Sequence, residues 1–214
     1  MPDHVNPRRN YRSPAREQQA RHTRTAIIAA AHQLFLSRGF AATTMNSVAT
    51  ESGVAVQTVY KAFPNKAVLA KAVFDNAIAG DDESVPVVER DQLTKVRTEP
   101  DPQRKLRLYG AFLARTAPRH VPVQLVIRAA AATHPEAAQL WTQLQDERLA
   151  GMAYFAADLD RAGHLRTGIT RSEARDVLWT YNAAEQYELL VLERGWSSRR
   201  YGSWIAEALI AALL

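Results

Sequence analysis

Residues 43–66, TTMNSVATESGVAVQTVYKAFPNK, hold two helix-like patterns of about eight residues each, separated by Ser52-Gly53 and closed by Pro64. Helices this short lose to conformational entropy in isolation, so they form only where tertiary packing holds them. That requirement makes their apolar residues informative. Val48 and Ala49 precede the turn, Val54 and Val59 follow it, and Phe63 ends the second pattern. A small residue four positions before the turn glycine lets the two helices approach closely, while Val54 and Val59 fill the wedge behind them. This is the spacing of a helix-turn-helix, which presents its second helix as a rod narrow enough for the DNA major groove. A helical hairpin within an ordinary bundle satisfies the same apolar pattern.

The flanks supply the bracing. Ile27, Ile28, Ala31, Leu34 and Phe35 recur at helical spacing between Arg21 and Arg38, and Gly39 suits the left-handed position after a helix. Thr43 or Thr44 can cap the second helix, which runs to Ser52, and Gly53 permits a sharp turn. The third helix is expected from Val56 to Phe63, because a proline disfavours helical geometry in the residue before it. Asn65 then caps a fourth, Lys66 to Ile78. Residues 1–20, with three prolines and Arg8, Arg9, Arg12 and Arg16, show no apolar periodicity and read as a disordered basic arm.

After residue 80 an acidic, proline-containing stretch precedes the next apolar pattern, so the division is a helix-turn-helix domain over 21–80 and a larger helical domain over 81–214. In the latter, helices are expected at Gln103–Ala117, Pro122–Ala132, Pro135–Ala162, Ser172–Arg194 and Ser198–Leu214. Capping-box spacings at Thr133/Glu136 and Thr170/Glu173 mark two starts, and Gly163 and Gly195 mark two ends. No segment alternates with period two, so the fold class is all-α.

Charge agrees with this division. Residues 1–80 contain ten Lys/Arg against four Asp/Glu and residues 81–214 seventeen against eighteen, so the whole net charge of +5 comes from the N-terminal part. Such an excess favours a polyanionic partner or a solvated basic face. The absence of cysteine excludes disulfides and thiolate chemistry; the six histidines show no metal-ligand spacing. With no long apolar run and no signal-like N-terminus, a cytoplasmic protein without membrane contact is expected.

On the third helix Gln57, Thr58, Tyr60 and Lys61 form an outward set able to hydrogen-bond to bases and phosphates. Lys66 and the free backbone donors of the fourth helix offer a phosphate contact. His32 and Met45 read as packing or surface residues. From about Arg21 to Ile78 the chain resembles the N-terminal domain of the tetracycline-repressor (TetR) family of transcriptional regulators, through AAAHQLFLSRGFAATTMNSVATESGV and TVYKAFPNKAVLAKAVFD. A weaker likeness extends to ERGWSSRRYGSWIAEALIAALL. The resemblance implies that Thr44 caps the second helix and touches phosphate, that Tyr60 and Lys66 grip the DNA backbone, and that Gln57, Thr58 and Lys61 contact bases or phosphates. It also implies a ligand-responsive regulator, a repressor acting as a homodimer on a near-palindromic operator. Ala55 departs from the family pattern, in which serine or threonine opens the recognition helix, and so lacks a cap of about 1 kcal/mol.

The remaining helices offer two further surfaces. Ala183, Tyr187, Leu190, Val191, Trp204, Ile205, Ala208, Leu209 and Ala212 form apolar stripes on the last two helices, expected to make the dimer interface, with intramolecular core as the competing account. Phe112, Arg128, Trp141, Met152, Phe155, Trp179, Asn182 and Gln186 are candidates for an effector pocket with aromatic walls and convergent polar groups. Arg128, in an apolar stretch, needs a partner or an anionic guest unless it faces solvent. No cofactor is expected. An enzyme or plain small-molecule binder would need clustered acid-base or metal-binding residues, and none is evident; Asp158 and Asp160 lie two apart on a helix and diverge. A structural DNA binder would need no pocket.

Overall fold

The computed structural model of the chain describes residues 14–80 and 91–214, and every regular element in them is helical. The described residues contain ten helices: α1 Pro14–Ala42, α2 Met45–Ser52, α3 Val56–Ala62, α4 Lys66–Ala79, α5 Asp91–Thr98, α6 Pro102–Ala131, α7 Pro135–Arg161, α8 Arg171–Tyr181, α9 Ala184–Tyr187 with a π-helical continuation over Glu188–Glu193, and α10 Ser198–Leu213. None of the described helices is long and apolar enough to cross a membrane.

Local signals set most of the boundaries. α1 is interrupted at Gly39, where φ is 77°, so the regular helix stops at Arg38 and one turn follows. Thr44 caps α2 in a closed box with Ser47: its hydroxyl oxygen accepts from the Ser47 N–H, and the Thr44 N–H donates to Ser47 Oγ, both at 3.0 Å. Asn65 caps α4 by accepting from the Val68 N–H at 2.9 Å, and Thr170 and Glu173 form the second expected box, on α8.

Five expectations need correction. Residues 14–20 are the first turns of α1, not part of an arm; Arg8, Arg9 and Arg12 lie outside the described residues. The stretch between the domains contains α5, an eight-residue helix that buries Val96. α6 is one helix rather than two, continuing through Pro118 and Pro122. Each internal proline costs roughly 3 kcal/mol, and burial of Leu113, Ala117, Val121, Val123 and Ile127 on either side offsets that penalty. Thr133 does not cap α7; His134 occupies the cap position without a side-chain bond, and the Thr133 hydroxyl lies 2.9 Å from His134 Nδ1. Finally, the expected Ser172–Arg194 helix breaks at Asn182 and the extended Ala183, then resumes and widens into π geometry.

Two cores result. The first joins Ile27, Leu34, Phe35, Phe40, Val48, Val59, Phe63 and Leu69 of the N-terminal helices to Val123 and Ile127 of α6 and Leu140 and Leu144 of α7. The second unites α5 to α10 around Leu106, Tyr109, Leu159, Leu178, Ile205 and Leu209. The helix-turn-helix unit is thus packed directly onto α6 and α7. Polar contacts reinforce the joint: Arg119 Nε donates to the Ala77 carbonyl at 2.9 Å, Lys66 lies 3.7 Å from Glu136, and Lys71 bridges Asp75 at 2.7 Å and Glu147 at 3.1 Å.

Candidate DNA interface and effector pocket

The turn between α2 and α3 follows from Gly53, which adopts φ 68° and ψ 26° and donates its N–H to the Ala49 and Thr50 carbonyls. A side chain there would be strained, whereas glycine is not. The Val54 N–H then bonds the Ala49 carbonyl at 3.1 Å, and Ala55 opens α3 with no side-chain cap, as its departure from the family pattern implies. Val59 and Phe63 anchor α3 with no exposed surface. Arg24 of α1 holds its far end, with the guanidinium 4.2 Å from the Phe63 ring centre and Nη1 donating to the Ala62 carbonyl at 3.3 Å.

With one face of α3 anchored in this way, the opposite face is presented outward. Gln57 and Lys61 are exposed, Tyr60 keeps 50% of its surface, and Thr58 is half-buried. Thr44 is exposed at the head of α2, with its oxygen accepting the capping bond and its hydroxyl hydrogen available to an outside acceptor. Lys66 differs from the other five. Its side chain is only 16% exposed, its ammonium donates to the Phe40 carbonyl at 2.9 Å and lies 4.3 Å from the Phe40 ring centre, and Glu136 stands nearby. Its charge is committed to the joint between α1, α4 and α7. Met45 is buried in the first core and His32 is half-buried.

The expected pocket residues do not all converge on one site. Phe112, Met152, Phe155, Trp179 and Asn182 belong to one neighbourhood in the second core. The Tyr109 ring stacks on Phe112 at 6.4 Å and meets Phe155 edge-on at 5.1 Å. The Tyr109 hydroxyl and the Asn182 amide both donate to the Met152 sulfur, at 3.5 and 3.9 Å, a weak acceptor for two donors. Trp141 packs instead against the first core, and Gln186 is half-buried on α9. Arg128 is paired: Nη1 donates to Glu185 at 2.9 Å and Nη2 to Glu188 at 2.6 Å. Burial works against its charge, but Glu188 and Glu185 more than restore it.

Residue-by-residue reading missed Gln145 and Arg148. Gln145, Arg148 and Met152 share one face of α7 at i, i+3 and i+7. The Arg148 guanidinium lies 4.3 Å from the Trp179 ring centre, with Nη1 donating to the Trp179 carbonyl and Nη2 to Gln145 Oε1 at 2.6 Å. Burial lowers its basicity more than nearby Glu185, Tyr109 and Tyr201 raise it. Arg148 Nε, Gln145 Nε2 and Trp179 Nε1 are buried without an acceptor, a state that costs about 1–3 kcal/mol per neutral donor. In sequence Arg148 sits in LQDERLAG beside two acidic residues, which disguises it as a surface charge; only its register with Met152 hinted otherwise. A cleft of about 440 Å³ lies elsewhere, over α6 and α10, lined by Arg107, Arg115, Arg199 and Glu207 and by none of the expected pocket residues.

The dimer stripe also needs correction. Tyr187, Ile205 and Leu209 are buried in the chain's own core and unavailable to a partner. Ala183, Leu190, Val191, Ala208 and Ala212 are partly exposed, and Trp204 keeps 37% of its surface against Tyr181 and Trp196. Leu189 and Leu192, not anticipated, are more than half exposed on the π segment.

Comparison with known proteins accords with this arrangement. No curated protein sequence matches significantly. In structure the chain is similar to Bacillus subtilis FadR in complex with stearoyl-CoA, at TM-score 0.69 and 18% identity over 89% of this chain and 99% of that one. The fatty acid degradation regulator FadR of Bacillus halodurans gives TM-score 0.69 and 18% identity, covering 88% and 94% of the two chains. A Saccharomonospora viridis protein in complex with choline gives TM-score 0.64 and 17% identity over 90% and 97%. Likenesses at this identity establish the fold. Residues 27–73 match the family model described as bacterial regulatory proteins, tetR family, and span α2, α3, their turn and most of α1 and α4. The N-terminal helix-turn-helix unit thus matches the tetR family of bacterial regulatory proteins, and it is joined to a larger helical domain whose fold these solved structures share.

Proposed function

We propose that this regulator is a repressor: a homodimer that holds a near-palindromic operator through two copies of α3 and releases it when a small molecule occupies the helical domain. The observation that carries this reading is the joint between α4 and α6/α7. Arg119 on Ala77, Lys71 on Glu147 and the shared first core leave the DNA-reading unit little freedom to move independently of the helical domain. A ligand that prefers one arrangement of α6 and α7 therefore biases the spacing of the two recognition helices, and DNA affinity changes by that differential affinity. Gln57, Thr58 and Lys61 are assigned to bases and phosphates, Thr44 and Tyr60 to the DNA backbone.

The dimer surface is assigned to Leu189, Leu192 and Trp204 with Ala208 beside them, an apolar set a monomer would leave in water. Two-fold symmetry suits this role because it places two identical reading helices on a repeated half-site. Structural relatives solved with stearoyl-CoA and with choline indicate that this architecture accommodates chemically unlike ligands.

The test is fluorescence anisotropy on labelled DNA from upstream of the protein's own gene, against scrambled DNA, at several salt concentrations. The expected outcome is specific, salt-sensitive retention by a dimer in sedimentation. Equal retention of both DNAs would favour a structural DNA binder, and no retention would sink the reading.

A further inference from the structure

We infer that the effector carries a carboxylate, and that Arg148, Gln145 and Trp179 receive it between α7 and α8. This rests on the ligand-responsive reading above and specifies the chemistry of its ligand. Arg148 touches both Trp179 and Gln145, and each of the three has a buried nitrogen donor without an acceptor. All three orphans are donors, so what is lacking is lone pairs. The same neighbourhood contains two more poorly satisfied donors, the Tyr109 hydroxyl and the Asn182 amide, which share only the Met152 sulfur.

Counting lone pairs narrows the guest. A carbonyl or hydroxyl oxygen offers two, fewer than the three orphan donors, whereas a carboxylate offers about four and suits a planar guanidinium. An ammonium offers none. A phosphate dianion would need a second free cation, but Arg128 is already held by Glu185 and Glu188. Glu185 acts on Arg148 through space, yet no carboxylate among the described residues lies within ion-pair distance of it. The apolar part of the guest would meet Phe112, Phe155 and Met152, so it is aromatic or aliphatic.

The donors are shielded from solvent, so entry requires α8 to shift. The helix break at Asn182–Ala183 and the π segment beyond it lie at that end of α8, and π geometry inside a helix frequently marks a functional position. Glu147, adjacent to Arg148 on α7, bridges to Lys71 of α4, so a displacement of α7 is transmitted to the DNA-reading unit.

The experiment compares octanoate and phenylacetate with octanamide, octan-1-ol and octylammonium, reading both calorimetric affinity for the full chain and anisotropy of bound operator DNA. The expected result is saturable binding by the carboxylates alone. Arg148→Met should weaken it by about ten- to a hundredfold. Trp179→Phe, which keeps the ring but removes the donor, should weaken it by a smaller factor. The inference is overturned if no carboxylate binds, if the amide binds equally well, or if Arg148→Met leaves carboxylate affinity unchanged. A fall in Tm in the Met variant with carboxylate affinity unchanged identifies Arg148 as a purely structural clip to the Trp179 carbonyl. Carboxylate binding that leaves DNA bound would defeat the repressor reading but not this site. DNA release by the amine or alcohol alone would do the reverse.

Discussion

Gly110 of α6 and Gly202 of α10 face each other so closely that a methyl group on either would lie 2.3 Å from the other's carbonyl oxygen. The obstruction is backbone on both sides and cannot swing aside. The crossing brings together the two helices that organise the second core, and both glycines are buried.

Gly110→Ala and Gly202→Ala should each destabilise the protein by about 1–3 kcal/mol through overpacking, despite the better helix propensity of alanine. Gly151→Ala provides the control: nothing lies within 4 Å of its added methyl, so a gain of about 0.5–1 kcal/mol is expected there. Urea unfolding of the three variants checks both signs. A neutral Gly202→Ala would mean that α6 and α10 are further apart than described.

Ala55 heads the recognition helix with extended backbone, φ −66° and ψ 143°, but no capping side chain. Ala55→Ser should therefore raise stability by about 0.5–2 kcal/mol. Thermal unfolding measures this, and an unchanged Tm would indicate that water or DNA-side contacts already serve those amides.

Surface and joint should separate in the lysines. Lys61→Ala should leave stability within about 0.5 kcal/mol and, if Lys61 meets phosphate, flatten the slope of log affinity against log salt by about one. Lys66→Met removes a partly buried ammonium from the Phe40 carbonyl and ring, and should cost about 1–2 kcal/mol of folding stability. The reverse pattern, with Lys66 affecting only the salt slope, would restore its expected role as a phosphate contact.

His120 sits on α6 against α4, its ring edge-on to Phe74 at 5.7 Å and Nδ1 bonded to the Thr116 carbonyl at 2.9 Å. Burial, with Arg119 adding repulsion, lowers its pKa to about 4 even though the Thr116 carbonyl favours the proton. The folded state thus prefers neutral His120, and between pH about 6.5 and 4 the unfolded chain binds the extra proton. Its stabilising contribution is complete above pH 6.5 and is lost as pH falls through about 4, an effect on the order of 1–3 kcal/mol. Titrating stability against pH in wild type and His120→Gln should show the steeper acid loss in wild type. Parallel curves would remove His120 as the cause.

Sequence by itself determined the helix-turn-helix, because its signals are local. The Thr44 cap, the left-handed Gly53, the stop before Pro64 and the Asn65 cap each act within one helical turn, and each is where the residues placed it. Tertiary structure decided the rest by changing local balances. Packing on both sides carried α6 through two prolines, His134 displaced Thr133 at the head of α7, and Tyr187, Ile205 and Leu209 turned inward rather than toward a partner. Arg128 and Arg148 show the same division most sharply. Composition makes them equivalent, but two glutamates from α9 and its π continuation satisfy the first, whereas the second meets an indole and a glutamine and keeps an unanswered N–H. Which charge finds a partner depends on distances across helices, and those exist only once the chain has folded.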